Sequence, residues 1–330
     1  MKSPFTGGET VLKTESRTLE YRKEPFSLAY VYYVCKDTGE TFTTNELDQL
    51  TLTQVHNKYR SKYSIPFADE IKAIREKYGL SAIKMSEVLG LGANIYRNYE
   101  SGEMPSVANG RLIRMAEDPH EFAKLVSLSR NSFEPHEFER VQKKLQCVPD
   151  KENIFEEQLE RFVVSASYPS LLNGYKTASL EKIGMLVRYF AAQLTPFTTS
   201  LNKLLFYSDF SHYRHHGYGI SGITYKAIQW GPVPANYGSL YNQLVNKDYV
   251  KIQEKDFGES FYWDTDDLIE LQHFFNDIEL DTINNIVSKF KGKSVKQIVD
   301  ISHKESGWKN NIDSKDFISY EYGFELKYPI

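Results

Sequence analysis

Residues 79–106, GLSAIKMSEVLGLGANIYRNYESGEMPS, restrict what this chain can fold into more than any other stretch. A serine, an apolar stripe, a glycine and a second amphipathic run follow in quick succession, which is room for two short helices around a tight turn. Ser81 suits the N-cap of the first helix, because its hydroxyl accepts a backbone N–H that a helix start leaves unpaired. Ile83, Met85, Val88 and Leu89 supply the apolar stripe, and Gly90 lets the chain turn through a positive φ. Leu91–Glu100 is then expected as the second helix. Its inner face carries Ile95 and Tyr99, with Tyr96 at the margin, and Ala93, Asn94, Arg97 and Asn98 are left to point outward. That outward set suits the DNA major groove, where Asn pairs bidentately with adenine and Arg with guanine. The plain alternative is a helical hairpin that serves a core and nothing else.

The segment resembles the helix-turn-helix of the phage-repressor and Cro family, of XRE type. The resemblance implies a homodimer on a palindromic operator in double-stranded DNA, with half-sites about one helical turn (~34 Å) apart. It assigns Ala93, Asn94, Arg97, Asn98, Ser81 and Lys84 to the DNA contact. Charge gives this reading less help. The chain carries a net charge of −4, and residues 68–130 hold nine Lys/Arg against nine Asp/Glu. A DNA binder gains affinity from a basic face, so binding is expected to be moderate and salt-sensitive, with Lys84, Arg97, Arg111 and Arg114 as the phosphate contacts.

A chain of 330 residues is expected to hold two or three domains. No apolar run approaches the ~20 residues that a membrane span needs, and the N-terminus lacks a basic-then-apolar signal pattern. Cys35 and Cys147, the two cysteines, are too few for a secreted disulfide framework. The expected location is the cytoplasm, with no membrane partner.

The N-terminal segment is informative for what it lacks. SPFTGG at residues 3–8 and CKDTG at residues 35–39 have the two-residue spacing and trailing glycine of a zinc knuckle, but Ser3, Thr6 and Thr38 stand where cysteines are needed beside Cys35. Neutral hydroxyls are poor zinc ligands, and a structural site usually needs four N or S donors. The segment resembles the N-terminal module of MqsA-type antitoxins with a degenerate metal site, so neither zinc nor any other cofactor is expected. Two strands, Thr18–Glu24 and Phe26–Val34, are expected to hold the module by packing.

Helices are expected over Thr44–Tyr59 and Ala68–Tyr78, followed by Asn109–Met115 and Glu121–Ser127, at 3.6-residue apolar spacing. Residues 131–178 turn polar and read as a partly helical linker, with one helix around Phe138, Val141 and Leu145 and another around Leu159, Phe162 and Val163. From Ser179 the character changes. Two amphipathic helices end at Pro196 and Gly217. A strand through Ile223, Tyr225, Ala227 and Gln229, a Gly-Pro-x-Pro turn and another helix come next. A hairpin over Val250–Gln253 and Ser260–Trp263 is followed by two closing helices, Thr282–Phe290 and Ser294–His303.

LNKLLFYSDFSHYRHHG, then SGITYKAIQWGPVP, then LYNQL, resembles the Panacea domain of SocA-like antitoxins across roughly residues 179–310. The resemblance implies a cognate toxin as partner, encoded by the adjacent gene and neutralised mostly by direct binding. Tyr207, Tyr213, Trp230, Pro232, Pro234 and Tyr241 are the expected toxin contacts, since Tyr and Trp are common interface anchors; core packing competes for each of them. Asp209, His212, His215 and His216 invite a metal reading, because Asp209, His212 and His215 follow at three-residue spacing on one helical face. Capping and hydrogen bonding weigh more, since no glutamate-rich shell accompanies them. No nucleophile or phosphate-loop motif is present, so no catalytic residue is assigned and no enzyme is expected.

The sequence thus reads as a multi-domain, mainly α protein. Residues 1–66 form a small antiparallel β module without zinc, 67–130 a five-helix-type helix-turn-helix domain, 131–178 the linker, and 179–330 a helix-rich α+β toxin-neutralising domain. The expected function is an antitoxin that represses its own operon. A phage- or stress-responsive regulator with a C-terminal sensor domain, or a proteolytic adaptor for a toxin, are the alternatives.

Overall fold

The computed structural model describes residues 1–146, 151–165, 167–256, 258–264 and 268–328; Cys147 lies outside the described residues. The chain is mainly helical with a small N-terminal antiparallel sheet. It divides into two compact units, one made of Met1–Asn57 with Glu157–Ile330 and the other of Lys58–Glu156. Among the described residues no helix is long and apolar enough to cross a membrane.

The first unit opens with a long hairpin of β1 (Thr10–Tyr21) and β2 (Glu24–Cys35), extended by the two-residue β3 (Thr41–Phe42). β2 runs further at both ends than expected, and β1 starts well before Thr18 but stops at Tyr21 instead of Glu24; its length is hidden because β1 is exposed along most of it and shows no apolar alternation. Tyr21 pairs with Glu24. That register leaves Arg22 and Lys23 as a two-residue loop, both at positive φ (50° and 67°), as such hairpins require. Helix α1 (Asn45–Tyr63) then covers the other edge of β2. Its Gln54 carboxamide donates to the Ala29 carbonyl at 2.9 Å and accepts from the Ala29 N–H at 3.1 Å, standing in for a neighbouring strand.

The second unit is helical: α2 (Ala68–Tyr78), α3 (Ala82–Val88), α4 (Ile95–Glu100), α5 (Val107–Met115), α6 (Pro119–Leu128) and α7 (Pro135–Gln146). Its core gathers Ile71, Met85, Tyr96, Ile113, Phe122 and Val141, one from each helix. Burying each aliphatic side chain of this set stabilises by ~1.5–3 kcal/mol. The buried tyrosines keep their hydroxyls paired, Tyr96 to the Ile71 carbonyl at 2.7 Å and Tyr78 to the Ala116 carbonyl at 2.8 Å.

The remainder of the first unit begins in α8 (Lys151–Val163) and continues through α9 (Leu180–Leu194) to α10 (Thr198–His216). Every residue of α10 from Ser200 to Tyr213 is buried, so this helix is the axis of the unit rather than an amphipathic surface element. β4 (Tyr225–Ile228), β5 (Gly231–Pro234), α11 (Tyr237–Asn246), β6 (Lys251–Lys255), β7 (Gly258–Tyr262), α12 (Leu268–Phe274), α13 (Asp277–Phe290), α14 (Val295–Ser302) and α15 (Ser306–Lys309) follow. Asn276 and Ser294 cap α13 and α14 through capping boxes with Glu279 and Gln297.

One element changes type from its sequence reading. Gly231–Pro234, expected as a turn, is strand β5, paired back onto β4 with Ala227 opposite Pro232 and Tyr225 opposite Pro234. In a two-residue hairpin those two pairs are the non-hydrogen-bonded ones, so proline's missing N–H costs the ladder nothing. The turn itself is Gln229–Trp230.

Candidate functional site

Ser81 caps α3 as its position suggests, its hydroxyl accepting from the Lys84 N–H at 3.1 Å. Gly90 takes φ +65°. The second helix, however, begins at Ile95 and not at Leu91. Buried Ser86 holds the intervening turn: its carbonyl accepts from the Leu91 N–H at 2.8 Å and its hydroxyl from the Tyr96 N–H at 3.1 Å. Met85, Val88 and Leu89 are buried as expected, but Ile83 is exposed, since two helical positions from Met85 is the opposite face. Tyr96 and Tyr99 point inward, and Ala93, Asn94, Arg97 and Asn98 all lie exposed.

The cations near them differ in freedom. Lys84 is half-buried, 2.8 Å from Glu87 and 3.7 Å from Glu137, and donates to the Ser132 carbonyl. Arg114 pairs with Glu70 at 2.9 Å and Glu117 at 3.2 Å. Both are occupied within their own unit. Arg97 and Arg111 are exposed.

At the N-terminus, the four knuckle positions do come together. Ser3, Thr6 and Thr38 surround the buried Cys35 sulfur, and their hydroxyls, Ser3's foremost, pull its pKa down to about 6. Both turns keep the knuckle backbone: Gly7 N–H to the Ser3 carbonyl and Gly39 N–H to the Cys35 carbonyl, each at 2.9 Å. One thiol and three neutral hydroxyls do not make a zinc donor set. The hydroxyls act as hydrogen-bond donors to sulfur instead.

In α10 the four residues that invite a metal reading are held apart, each engaged or placed differently. Asp209 faces the loop after the helix, where Oδ1 accepts from the N–H groups of Ile220 and Ser221, both at 2.8 Å. Its Oδ2 accepts from Tyr225 Oη at 2.7 Å and from the Ser221 hydroxyl. His212 turns to α13, its Nδ1 3.0 Å from Thr282 Oγ1, and burial depresses its pKa. His215 is exposed. Among the described residues no three His, Cys, Asp or Glu side chains gather at one point.

Five of the six residues expected at a toxin surface are interior. Tyr207 donates to Glu305 at 2.8 Å, Tyr241 to Asn202 at 2.7 Å, and Tyr213 is fully buried; Pro232 and Pro234 lie buried in β5. Their rings complete the core around α10, which leaves them no surface for a partner. Trp230 alone of the six is open, 61% exposed at the hairpin tip.

Against Gly231, the residue after Trp230, lies one that periodicity did not single out. Lys203 of α10 is completely buried, its Nζ has no hydrogen-bond partner among the described residues, and burial by itself lowers its pKa to about 7. His303 Nε2, just past α14, is likewise buried and unpartnered among the described residues. The signal was available: in LNKLLFY a lysine stands at the head of the apolar run Leu204–Tyr207, and a charge there either snorkels or is held for a purpose.

Comparison with known proteins bears on the first unit, the one that contains α10. No curated protein and no solved structure matched the chain. Residues 201–309, the stretch from α10 through α15 that holds Asp209, Trp230, Lys203 and His303, match the family model of the antitoxin SocA-like Panacea domain.

Proposed function

We propose that this chain is the antitoxin of a toxin–antitoxin pair, neutralising its toxin by direct binding through residues 179–330 and repressing its own operon through α3 and α4. The observation that carries the reading is the Panacea match over residues 201–309. The second half of the reading is supported by the exposed Ala93, Asn94, Arg97 and Asn98 beside a capped first helix, the arrangement of an XRE-type helix-turn-helix. With Lys84 and Arg114 engaged internally, phosphate contacts fall to Arg97 and Arg111, so a homodimer binds its operator moderately and with strong salt dependence. The protein acts by binding and not by catalysis.

The test is co-expression of the full chain with the product of the adjacent reading frame, scoring growth and co-purification. The full chain is the right reagent, because Met1–Asn57 belongs to the same compact unit as the Panacea region; Asn57 Nδ2 donates to the Gly217 carbonyl at 3.0 Å. Rescue of growth with a stable complex is the expected result. A neighbour that is harmless alone, or that is harmful and neither rescued nor bound, overturns the neutralising role. Retardation of a duplex spanning the operon's promoter tests the repressor role separately.

A further inference from the structure

Lys203 and His303 meet at one corner of the Panacea region. Gly231, next to Trp230, has φ +99°, and a Cβ built there would lie 2.7 Å from Lys203 Cε and 3.1 Å from its Nζ. The amine therefore ends directly under the hairpin backbone. His303 is held flat against Trp308, ring centroids 4.0 Å apart at 7°, and Trp308 Nε1 donates to the Ile228 carbonyl of β4 at 2.8 Å. These fixed elements border a surface pocket of about 580 Å³ whose lining includes Thr199, Trp230, Lys296, Val299, Asp300 and His303. Thr199 precedes Lys203 by one turn of α10, so the two share a helix face.

The corner is richer in basic groups than in acidic ones. Two basic side chains, Lys296 and His303, line the pocket with one carboxylate, Asp300, which is exposed and acts on His303, and a third, Lys203, lies behind the hairpin. A buried lysine without a partner is costly, and a neutralising leucine or methionine would serve the core better. An exposed tryptophan above it supplies an apolar rim. A free anion would leave that rim and Val299 unused; an acidic side chain on a protein surface uses both.

We propose that this corner is the toxin-docking hot spot, receiving an Asp or Glu side chain of the toxin that packs its stem against Trp230 and pairs with His303 and Lys203. The inference rests on the antitoxin reading and names its surface. His303, which lines the pocket, takes the carboxylate first. Lys203 lies one layer deeper and is reached when the Gln229–Trp230 turn lifts.

The experiment measures affinity of the full chain for the product of the adjacent reading frame, in wild type, Lys203→Met and Trp230→Ala. Lys203→Met is expected to melt higher than wild type yet bind about 30-fold or more weaker. Trp230→Ala is expected to leave the melting temperature unchanged and to weaken binding by about 10-fold or more. In the wild-type complex, the Lys203 amine, followed by NMR of lysine labelled at Cε, should titrate well above its free-chain midpoint. Wild-type affinity in both variants overturns the proposal while leaving the antitoxin reading intact. Should Lys203→Met fail to fold, Trp230→Ala and the Lys203 titration decide. No complex with the wild-type chain overturns both readings together.

Discussion

Asp209 and Lys203 lie on the same helix, and both are completely buried, but the fold treats them in opposite ways. Asp209 accepts four hydrogen bonds and so ties Ile220, Ser221 and Tyr225 to α10. Lys203 has none among the described residues. Burial pushes the Asp209 pKa up against the pull of its donors, and pushes the Lys203 pKa down with nothing opposing it. A buried polar group that is fully paired organises structure; one left unpaired stores free energy that a partner can release. Cys35, ringed by Ser3, Thr6 and Thr38, belongs with Asp209.

The largest expected effect tests the paired side. Asp209→Ala leaves several buried donors without an acceptor and should destabilise the Panacea-containing unit by roughly 3–5 kcal/mol, read from the urea midpoint. A loss below ~1 kcal/mol would mean that the loop after α10 is held by packing alone.

Lys203→Met should move stability the other way, by ~1–4 kcal/mol. The pH dependence supplies a second readout. The folded lysine gives up its proton near pH 7 and the unfolded one near its ordinary value of 10.5. Between those values unfolding takes up a proton, so wild-type stability rises with pH over that window, and the methionine variant should flatten the rise. An unchanged slope would place the titration elsewhere.

In the helical unit, Arg97→Ala should leave stability within ~0.5 kcal/mol, because Arg97 is exposed. The same change should weaken binding to the promoter duplex by roughly 10- to 100-fold. Equal binding of wild type and variant would remove α4 from the DNA contact.

The smallest effect concerns Cys35. The ultraviolet absorbance of the Cys35 thiolate should rise with a midpoint near pH 6, and Thr6→Val should shift that midpoint upward. Since the thiol's folded pKa lies below its unfolded one, its contribution to stability is complete above ~8.5 and fades as pH falls through about 6. A midpoint in the ordinary thiol range would show that the hydroxyls do not donate to sulfur.

How much of this was legible beforehand depends on the range of the interaction. Ala68–Tyr78 and the Ser81 cap follow from neighbours within one helical turn, and the structure has them where the spacing puts them. The hairpin over β6 and β7 also lies where alternation suggests. The start of α4 is not legible from spacing because buried Ser86 competes with helix propensity, its carbonyl holding the Leu91 N–H and its hydroxyl the Tyr96 N–H. β5 was missed because prolines signal a turn unless strand pairing seats them at non-hydrogen-bonded positions.

The amino-acid order by itself determined the periodic helices, the two tight knuckle turns and the polar face of α4, all of which arise from contacts a few residues apart. The tertiary structure decided the rest. It brought Ser3, Thr6 and Thr38 around a thiol in the following strand, spent Asp209 on a loop, and turned Tyr207, Tyr213 and Tyr241 into core. It also left Lys203 without a hydrogen-bond partner among the described residues, against Gly231. Whether a polar group is paired depends on which distant segments pack against it, and a linear pattern carries no record of those neighbours.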